Sequence, residues 1–292
     1  MGTLFAYLLA ETYDVTLVDI RGDLVETISE QGVIVDDLPP RSVRATCDSA
    51  KAVASQFLFV FVKATDTLRA VRPFAGQLNP ATPIISLQNG LGNEEAIKTA
   101  LGGSVPLVLG VTTEACVSTG HGRSHRLGIG TTVLGSAGAS PATVQSVSTL
   151  LDGVGLAART VYDIRPHLWG KLLANAAINP IAALLDSKNA VIPATPDAAE
   201  LARAIAYEGA AVAKALKISL PFTDAWEYVK SVIASSADGR NSMTIDLAAR
   251  RKTEIDYING AIVAAGRRTG VPTPYNESLW RIIKAREQVT ED

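Results

Sequence analysis

Along the first half of the chain, apolar and polar positions switch repeatedly between the period of a strand and that of a helix. Residues 3–11 have helical spacing, and Val15-Thr16-Leu17-Val18 reads as a short strand ending at Asp19. A second strand is expected over 32–35. The run Phe57-Leu58-Phe59-Val60-Phe61-Val62 is almost continuously apolar, as in a strand buried on both faces. The pattern then predicts a helix over 66–74, a strand over 83–87, a helix over 94–101 and a strand over 106–110. A strand over 128–135 and a helix over 141–151 close this half. Strands alternating with helices imply parallel crossovers, so residues 1–163 are expected to form a doubly wound sheet. From about Ile164 the alternation stops. Residues 164–292 carry helical patterns over 166–185, 196–216, 223–235, 242–269 and 274–288, with a loop over 235–241. The fold class is therefore α/β, with an all-helical domain following the sheet domain.

One of these helices has a polar stripe where plain core is expected. Lys171, Asn175 and Asn179 recur every four residues in Trp169-Gly170-Lys171-Leu172-Leu173-Ala174-Asn175-Ala176-Ala177-Ile178-Asn179-Pro180. Each residue turns an α-helix by about 100°, so the three drift only about 40° per step along one face. A lysine and two carboxamides among small apolar residues are costly to bury without partners. A solvated stripe explains one such residue well; three in register favour a face turned toward a ligand.

Bulk composition narrows the function classes. The chain has 292 residues, enough for two domains, with 47% hydrophobic and 19% charged residues and a formal net charge of −2. With no basic run, nucleic acid is not expected as the main partner. Cys47 and Cys116 are the only cysteines, which suggests neither a disulfide framework nor a zinc motif, and a reducing cytoplasm is the expected compartment. His121, His125 and His167 form no metal-ligand cluster, and the first two are expected in a solvated Gly/Ser-rich loop over 119–130. The apolar opening is too short for a signal peptide, and no run reaches membrane-spanning length.

The order Gly2, helix, strand, Asp19 matches the tail of a dinucleotide fingerprint in a Rossmann-type domain, with Met1-Gly2 as the end of a Gly-x-Gly-x-Met-Gly turn. On this reading the first strand and the first two glycines are missing. A start placed at an internal methionine, with roughly ten residues lost, is the expectation. A true truncation, or a sheet that never needed that strand, is the alternative. The missing strand would be central, so its loss would expose both neighbours. Asp19 sits where an acid accepts hydrogen bonds from the adenosine ribose 2′-hydroxyl, which points to NAD; Arg21, two residues on, offers a partner for the 2′-phosphate of NADP instead.

Four segments in order now carry a resemblance. They are Val62-Lys63-Ala64-Thr65-Asp66-Thr67, Gln88-Asn89-Gly90-Leu91-Gly92-Asn93-Glu94, Trp169 to Pro180, and Thr253-Glu254-Ile255-Asp256-Tyr257-Ile258-Asn259-Gly260. The chain resembles the ketopantoate reductases (2-dehydropantoate 2-reductases) and the related D-2-hydroxyacid dehydrogenases, over nearly its whole length. The resemblance implies a dinucleotide-binding first domain, a substrate-binding helical domain, and hydride transfer from NADPH or NADH to a small 2-oxo acid, most simply 2-dehydropantoate. It implies Lys171 as general acid and Glu254 as partner of a substrate hydroxyl. Asn175 and Asn179 would bind substrate polar groups, Ser242 its carboxylate, and Asn89 and Lys63 would stand at the junction of cofactor and substrate. Gly2, Asp19 and Arg21 would contact the cofactor.

On the residues' own evidence, Glu254 shares a helical stripe with Ile258, Ala261, Ile262 and Ala265, with Arg250 as the alternative surface partner. Asp256 and Lys252 read as a plain i,i+4 ion pair. Ser242 is expected at the start of a long helix, where an anion is favoured. The family resemblance favours NADP and Asp19 favours NAD. The rival readings are an NAD-dependent D-2-hydroxyacid dehydrogenase and a non-catalytic relative that has lost its cofactor loop. No metal is expected, and a homodimer is compatible with the helical second domain.

Overall fold

The computed structural model describes residues 1–289, which divide into two compact units. The first comprises Met1–Gln88 and Asn93–Ile164. Its elements run α1 (Gly2–Leu9), β1 (Thr16–Val18), α2 (Gly22–Gln31), β2 (Ile34–Val35), β3 (Arg44–Thr46), β4 (Leu58–Val60), α3 (Thr67–Val71), β5 (Ile84–Ser86), α4 (Asn93–Leu101) and β6 (Leu107–Thr112). Then come β7 (Ala115–Gly120), β8 (Arg123–Gly128), β9 (Thr132–Ser136), α5 (Pro141–Asp152) and β10 (Ala158–Thr160).

Among the described residues, the strands form a pair β1-β3, a sheet β10-β9-β6-β5-β4, and a small sheet β2-β8-β7. The pairings β1-β3, β4-β5 and β5-β6 are parallel. In the doubly wound order 3-2-1-4-5-6, β3-β1 takes the places 3-2 and β4-β5-β6 the places 4-5-6. β1 and β4, the flanks of place 1, each end their sheet. This is why the apolar run at 57–62 is only partly covered: Val60 is buried, whereas Leu58 and Phe59 are half-buried and Val62 is exposed. Phe5 of α1 lies over this edge, its ring centroid 4.6 Å from that of Phe61 and 6.3 Å from that of Phe59.

Several expectations for this unit are corrected. β9 runs antiparallel to β6, because a hairpin and not a helix connects them. The segment at 32–35 belongs to the small sheet, where Ile34 pairs with Arg123. The helix expected over 66–74 is the five-residue α3 flanked by two 3₁₀ turns, the second containing Pro73. The expected loop at 119–130 is largely the β7-β8 hairpin; His125 Nδ1 lies 2.6 Å from Asp36 Oδ1, and His121 Nε2 3.4 Å from Asp23. The Arg126 backbone N–H donates to Asp36 (3.0 Å), which with His125 holds that carboxyl below its ordinary pKa.

The second unit comprises Asn89–Gly92 and the chain from Arg165 onward. Its helices are α6 (Arg165–Leu184), α7 (Val191–Ala194), α8 (Pro196–Ala215), α9 (Ala225–Ser235), α10 (Ser242–Ala248), α11 (Asn259–Thr269) and α12 (Pro274–Val289). α6 is its axis, packed by α8, α9, α10 and α12, with Leu172, Leu173, Ala176 and Ala177 essentially inaccessible. The single helix expected over 242–269 is instead α10, a 3₁₀ turn at Ile255–Tyr257 and α11. α10 ends in a Schellman motif: Arg251 N–H donates to Asp246 O (2.8 Å), Arg250 N–H to Leu247 O (3.1 Å), and Arg250 takes the left-handed position at φ 51°. Glycine usually fills that position, and its absence hid the break.

Two ion-pair expectations rested on that helix. Asp256 accepts from Trp280 Nε1 (2.6 Å) and from Lys284 Nζ (2.8 Å), 24 and 28 residues away, so it is not simply half of a local surface pair. Arg250 lies outside any helix, and its i,i+4 relation to Glu254 is lost. Among the described residues no helix is long and apolar enough to cross a membrane, and no group of three or more potential metal ligands occurs.

Candidate active site

The Lys171–Asn175–Asn179 stripe lies on α6 as a continuous helical face. Asn179 is buried, and Lys171 and Asn175 are half-buried. Lys171 keeps some accessible surface, yet the protein around its ammonium strips most of its water. Desolvation lowers its pKa to about 8, and the negative charge of Glu254 opposes the fall. Glu254 is therefore an electrostatic neighbour of Lys171.

It reaches that place without a helical stripe. Glu254 stands just before the 3₁₀ turn, and its neighbour Thr253 is clamped from α12: the Thr253 N–H and hydroxyl both donate to Glu287 Oε1 at 2.7 Å. Ile255 N–H then donates to Thr253 Oγ1 (3.2 Å), which fixes the backbone on the other side of Glu254.

The same 3₁₀ turn receives the Asn89–Gly92 segment. Leu91 N–H donates to Tyr257 O (2.9 Å), and Gly90 sits at φ 79° with its absent Cβ position only 2.6 Å from that carbonyl. Any side chain at 90 would be strained and would push the segment off the turn. Asn89, Glu254 and Lys171 thus belong to one unit although they are far apart in sequence. Ser242 is exposed at the first position of α10, whose N-cap is the Asn241 carboxamide accepting from Thr244 N–H (3.0 Å). The long helix expected behind Ser242 is absent.

The other candidates lie on the α/β unit. Gly2 opens α1, whose N-cap residue Met1 makes no side-chain capping bond, so its first-turn amides have no capping side chain there. Asp19 follows β1, and Arg21 is turned onto it: Arg21 N–H donates to Asp19 Oδ1 (3.0 Å), and its guanidinium spans both oxygens (3.1 and 3.3 Å). The two residues read from sequence as competitors are partners. This pairing raises the arginine pKa further.

Lys63 follows β4 at its carboxyl end. A network that the motifs contained but to which the sequence reading gave no role ties this end to β5. Gln88 Nε2 donates to Val62 O (2.6 Å) and Thr67 Oγ1 (2.8 Å), Thr67 Oγ1 donates to Asn93 Oδ1 (3.1 Å), and Ser86 Oγ donates to Gln88 Oε1 (2.9 Å). The residues flanking Asn89 are thereby fixed from both sides.

The fold is that of a class of two-unit proteins built from a doubly wound domain and a helical one. Comparison with known proteins narrows it. Residues 1–139 match the family model described as ketopantoate reductase PanE/ApbA, and residues 163–287 match that of its C-terminal domain. The chain belongs to this ketopantoate reductase family. It is 40% identical over 235 residues to a 2-dehydropantoate 2-reductase of Pyrobaculum aerophilum, covering 80% of this chain and 77% of that one. It is 34% identical to the corresponding protein of Archaeoglobus fulgidus, over 94% and 90% of the two chains. Among solved structures, D-mandelate dehydrogenase in complex with NADH superposes with a TM-score of 0.91 at 26% identity, over 99% of this chain and 96% of that one.

Proposed function

We propose that this protein reduces a 2-oxo acid, 2-dehydropantoate first among candidates, to the 2-hydroxy acid, with Lys171 as proton donor. The observation that carries the reading is the desolvated Lys171 beside Glu254 on the helical unit, in a chain of this family. A dihydronicotinamide supplies the hydride when bound. The residues present fit such a cofactor: the first-turn amides of α1 at Gly2 suit its phosphates, the Asp19–Arg21 pair its adenosine ribose, and Lys63 the carboxyl end of β4 where ligands bind in such sheets.

Lys171 holds a proton at Nζ for the carbonyl oxygen. As hydride reaches C2 and the C=O π electrons move onto oxygen, the ammonium stabilises the developing oxyanion and then transfers its proton, leaving a neutral amine that water recharges. Asn89, Asn175 and Asn179 orient the substrate by hydrogen bonds, Glu254 accepts one from its distal hydroxyl, and Ser242 donates to its carboxylate.

This assignment fixes a pH dependence. With a pKa of about 8 the donor is protonated at neutral pH and loses its proton above pH 8. For reduction, kcat/KM at saturating dinucleotide is expected to be flat at neutral pH and to fall tenfold per unit on the alkaline side of pH 8. Oxidation of the 2-hydroxy acid, which needs the neutral amine, is expected to rise through the same pH. Parallel slopes in the two directions would exclude Lys171 as the transferring group.

A second reading, an NAD-dependent D-2-hydroxyacid dehydrogenase, draws support from the Asp19–Arg21 pair. The carboxylate repels a 2′-phosphate, and the guanidinium that would bind one is engaged. On the second reading NADH is expected to bind at least tenfold more tightly than NADPH in a fluorescence titration. Tighter binding of NADPH would reverse the assignment of Asp19, and binding of neither would remove the dinucleotide role from this unit.

A further inference from the structure

α6 carries a proline in its interior, Pro180, one residue after Asn179. Proline has no N–H, so the carbonyl of Ala176 cannot receive its ordinary i+4 hydrogen bond, and the residue before a proline is disfavoured in helical conformation. The Ala176 carbonyl is the group left in need. The deficit is met from elsewhere in the unit: Asn259, at the first position of α11 and fully buried, donates from Nδ2 to Ala176 O at 3.2 Å.

The second hydrogen of that amide goes to Asn276 Oδ1 (3.0 Å). Asn276 Nδ2 donates in turn to Glu208 Oε2 (2.8 Å) and to Ile205 O (3.2 Å) of α8. The assignment of the Asn259 amide is unambiguous, since a flipped oxygen would face two acceptors. Its own Oδ1 has no partner among the described residues. A buried carboxamide that leaves its acceptor unsatisfied is there for its donors.

We infer that Asn259 is a positioning residue: it substitutes for the amide that Pro180 lacks and so fixes the turn of α6 that presents Asn175 and Asn179. The inference rests on the proposed reading of those two residues as substrate ligands, but its core, the coupling of Asn259 to Pro180, is independent of it. The one bond missing from the α6 ladder at this turn is thus supplied from α11, and Asn276 of α12 ties that donor to α8.

The test is a double-mutant cycle on the full chain with Asn259→Ala, Pro180→Ala and the combination. Alanine at 180 returns the N–H to Ala176 O. Asn259→Ala is expected to lower kcat/KM for the 2-oxo acid about tenfold and to lower the urea midpoint, with the dinucleotide Kd unchanged. In the Pro180→Ala background, the same substitution is expected to cost less than threefold in kcat/KM and to shift the midpoint less. Equal losses in both backgrounds would overturn the inference, and so would a tenfold loss of dinucleotide affinity, which marks general loosening. Should the parent chain reduce no 2-oxo acid, the functional reading falls, and the urea midpoints alone decide the coupling: non-additive shifts uphold it and additive ones refute it.

Discussion

Replacing Lys171 by methionine is expected to lower kcat for 2-oxo acid reduction about a thousand-fold, the middle of the range for a positioned general acid, while leaving dinucleotide affinity unchanged. The same variant is expected to be more stable. Depression of the ammonium's pKa to about 8 corresponds to about 3 kcal/mol of penalty for holding the charge in the folded site. Below pH 8 the folded and unfolded chains are both protonated, and the folded chain bears that penalty in full. Between pH 8 and the ordinary lysine range the folded chain has released the proton and the unfolded chain has not, so the group's contribution to stability rises with pH. Methionine fills the space without the charge. Its gain in Tm is therefore expected to be largest at neutral pH and to shrink as the pH is raised. A variant that is inactive and less stable at pH 7 would mean that Lys171 holds the helices together and that its desolvation serves no chemistry.

Removing the distal hydroxyl from the substrate is expected to have an effect at least as large. If Glu254 accepts a hydrogen bond from that hydroxyl, 3,3-dimethyl-2-oxobutanoate should be reduced with a kcat/KM lower than that of 2-dehydropantoate by on the order of 10⁴, because the carboxylate is left unpaired beside the bound analogue. Glu254→Gln should narrow the ratio. It should also move the alkaline fall of kcat/KM to lower pH, since the charge that opposes the desolvation of Lys171 is gone. Equal use of the two acids would remove the pantoate assignment and leave the D-2-hydroxyacid reading. An unmoved pH profile in Glu254→Gln would separate the carboxylate from the lysine.

What the sequence made legible follows a physical line. α6, α8 and α12 have long apolar faces of a single period, and their limits were readable to within a residue or two. The break between α10 and α11 was not, because an arginine occupies the left-handed position of the Schellman motif and the apolar pattern stays in phase across the gap. Glu254 came from a family motif and from a helical stripe that does not extend back to it; it is set beside Lys171 by Thr253 and Glu287, which are 34 residues apart. Pairings of that range leave no local trace. The same holds for His125 with Asp36, 89 residues apart, in a segment expected as a loop that pairs as a strand with β7 and β2. Asp19 and Arg21 are only two residues apart, yet each was weighed against a ligand and not against the other. Asn259 was visible in a motif and Pro180 in another, but nothing local pairs the amide with the carbonyl that the proline frees 83 residues away.

The two sheet ends at β1 and β4 have a consequence for how copies of this chain meet. Unpaired strand edges are templates for strands of other molecules, and long flat ones drive aggregation. Here each edge offers only three residues, Thr16–Val18 and Leu58–Val60, with Asp14 and Asp19 around the first and Phe57, Phe61 and Val62 around the second. Brevity limits both edges, and flanking charge guards only the first. Among the described residues, the β4 edge is therefore the more open to pairing with another strand, and an apolar substitution at Asp19 is expected to bring the β1 edge to the same condition.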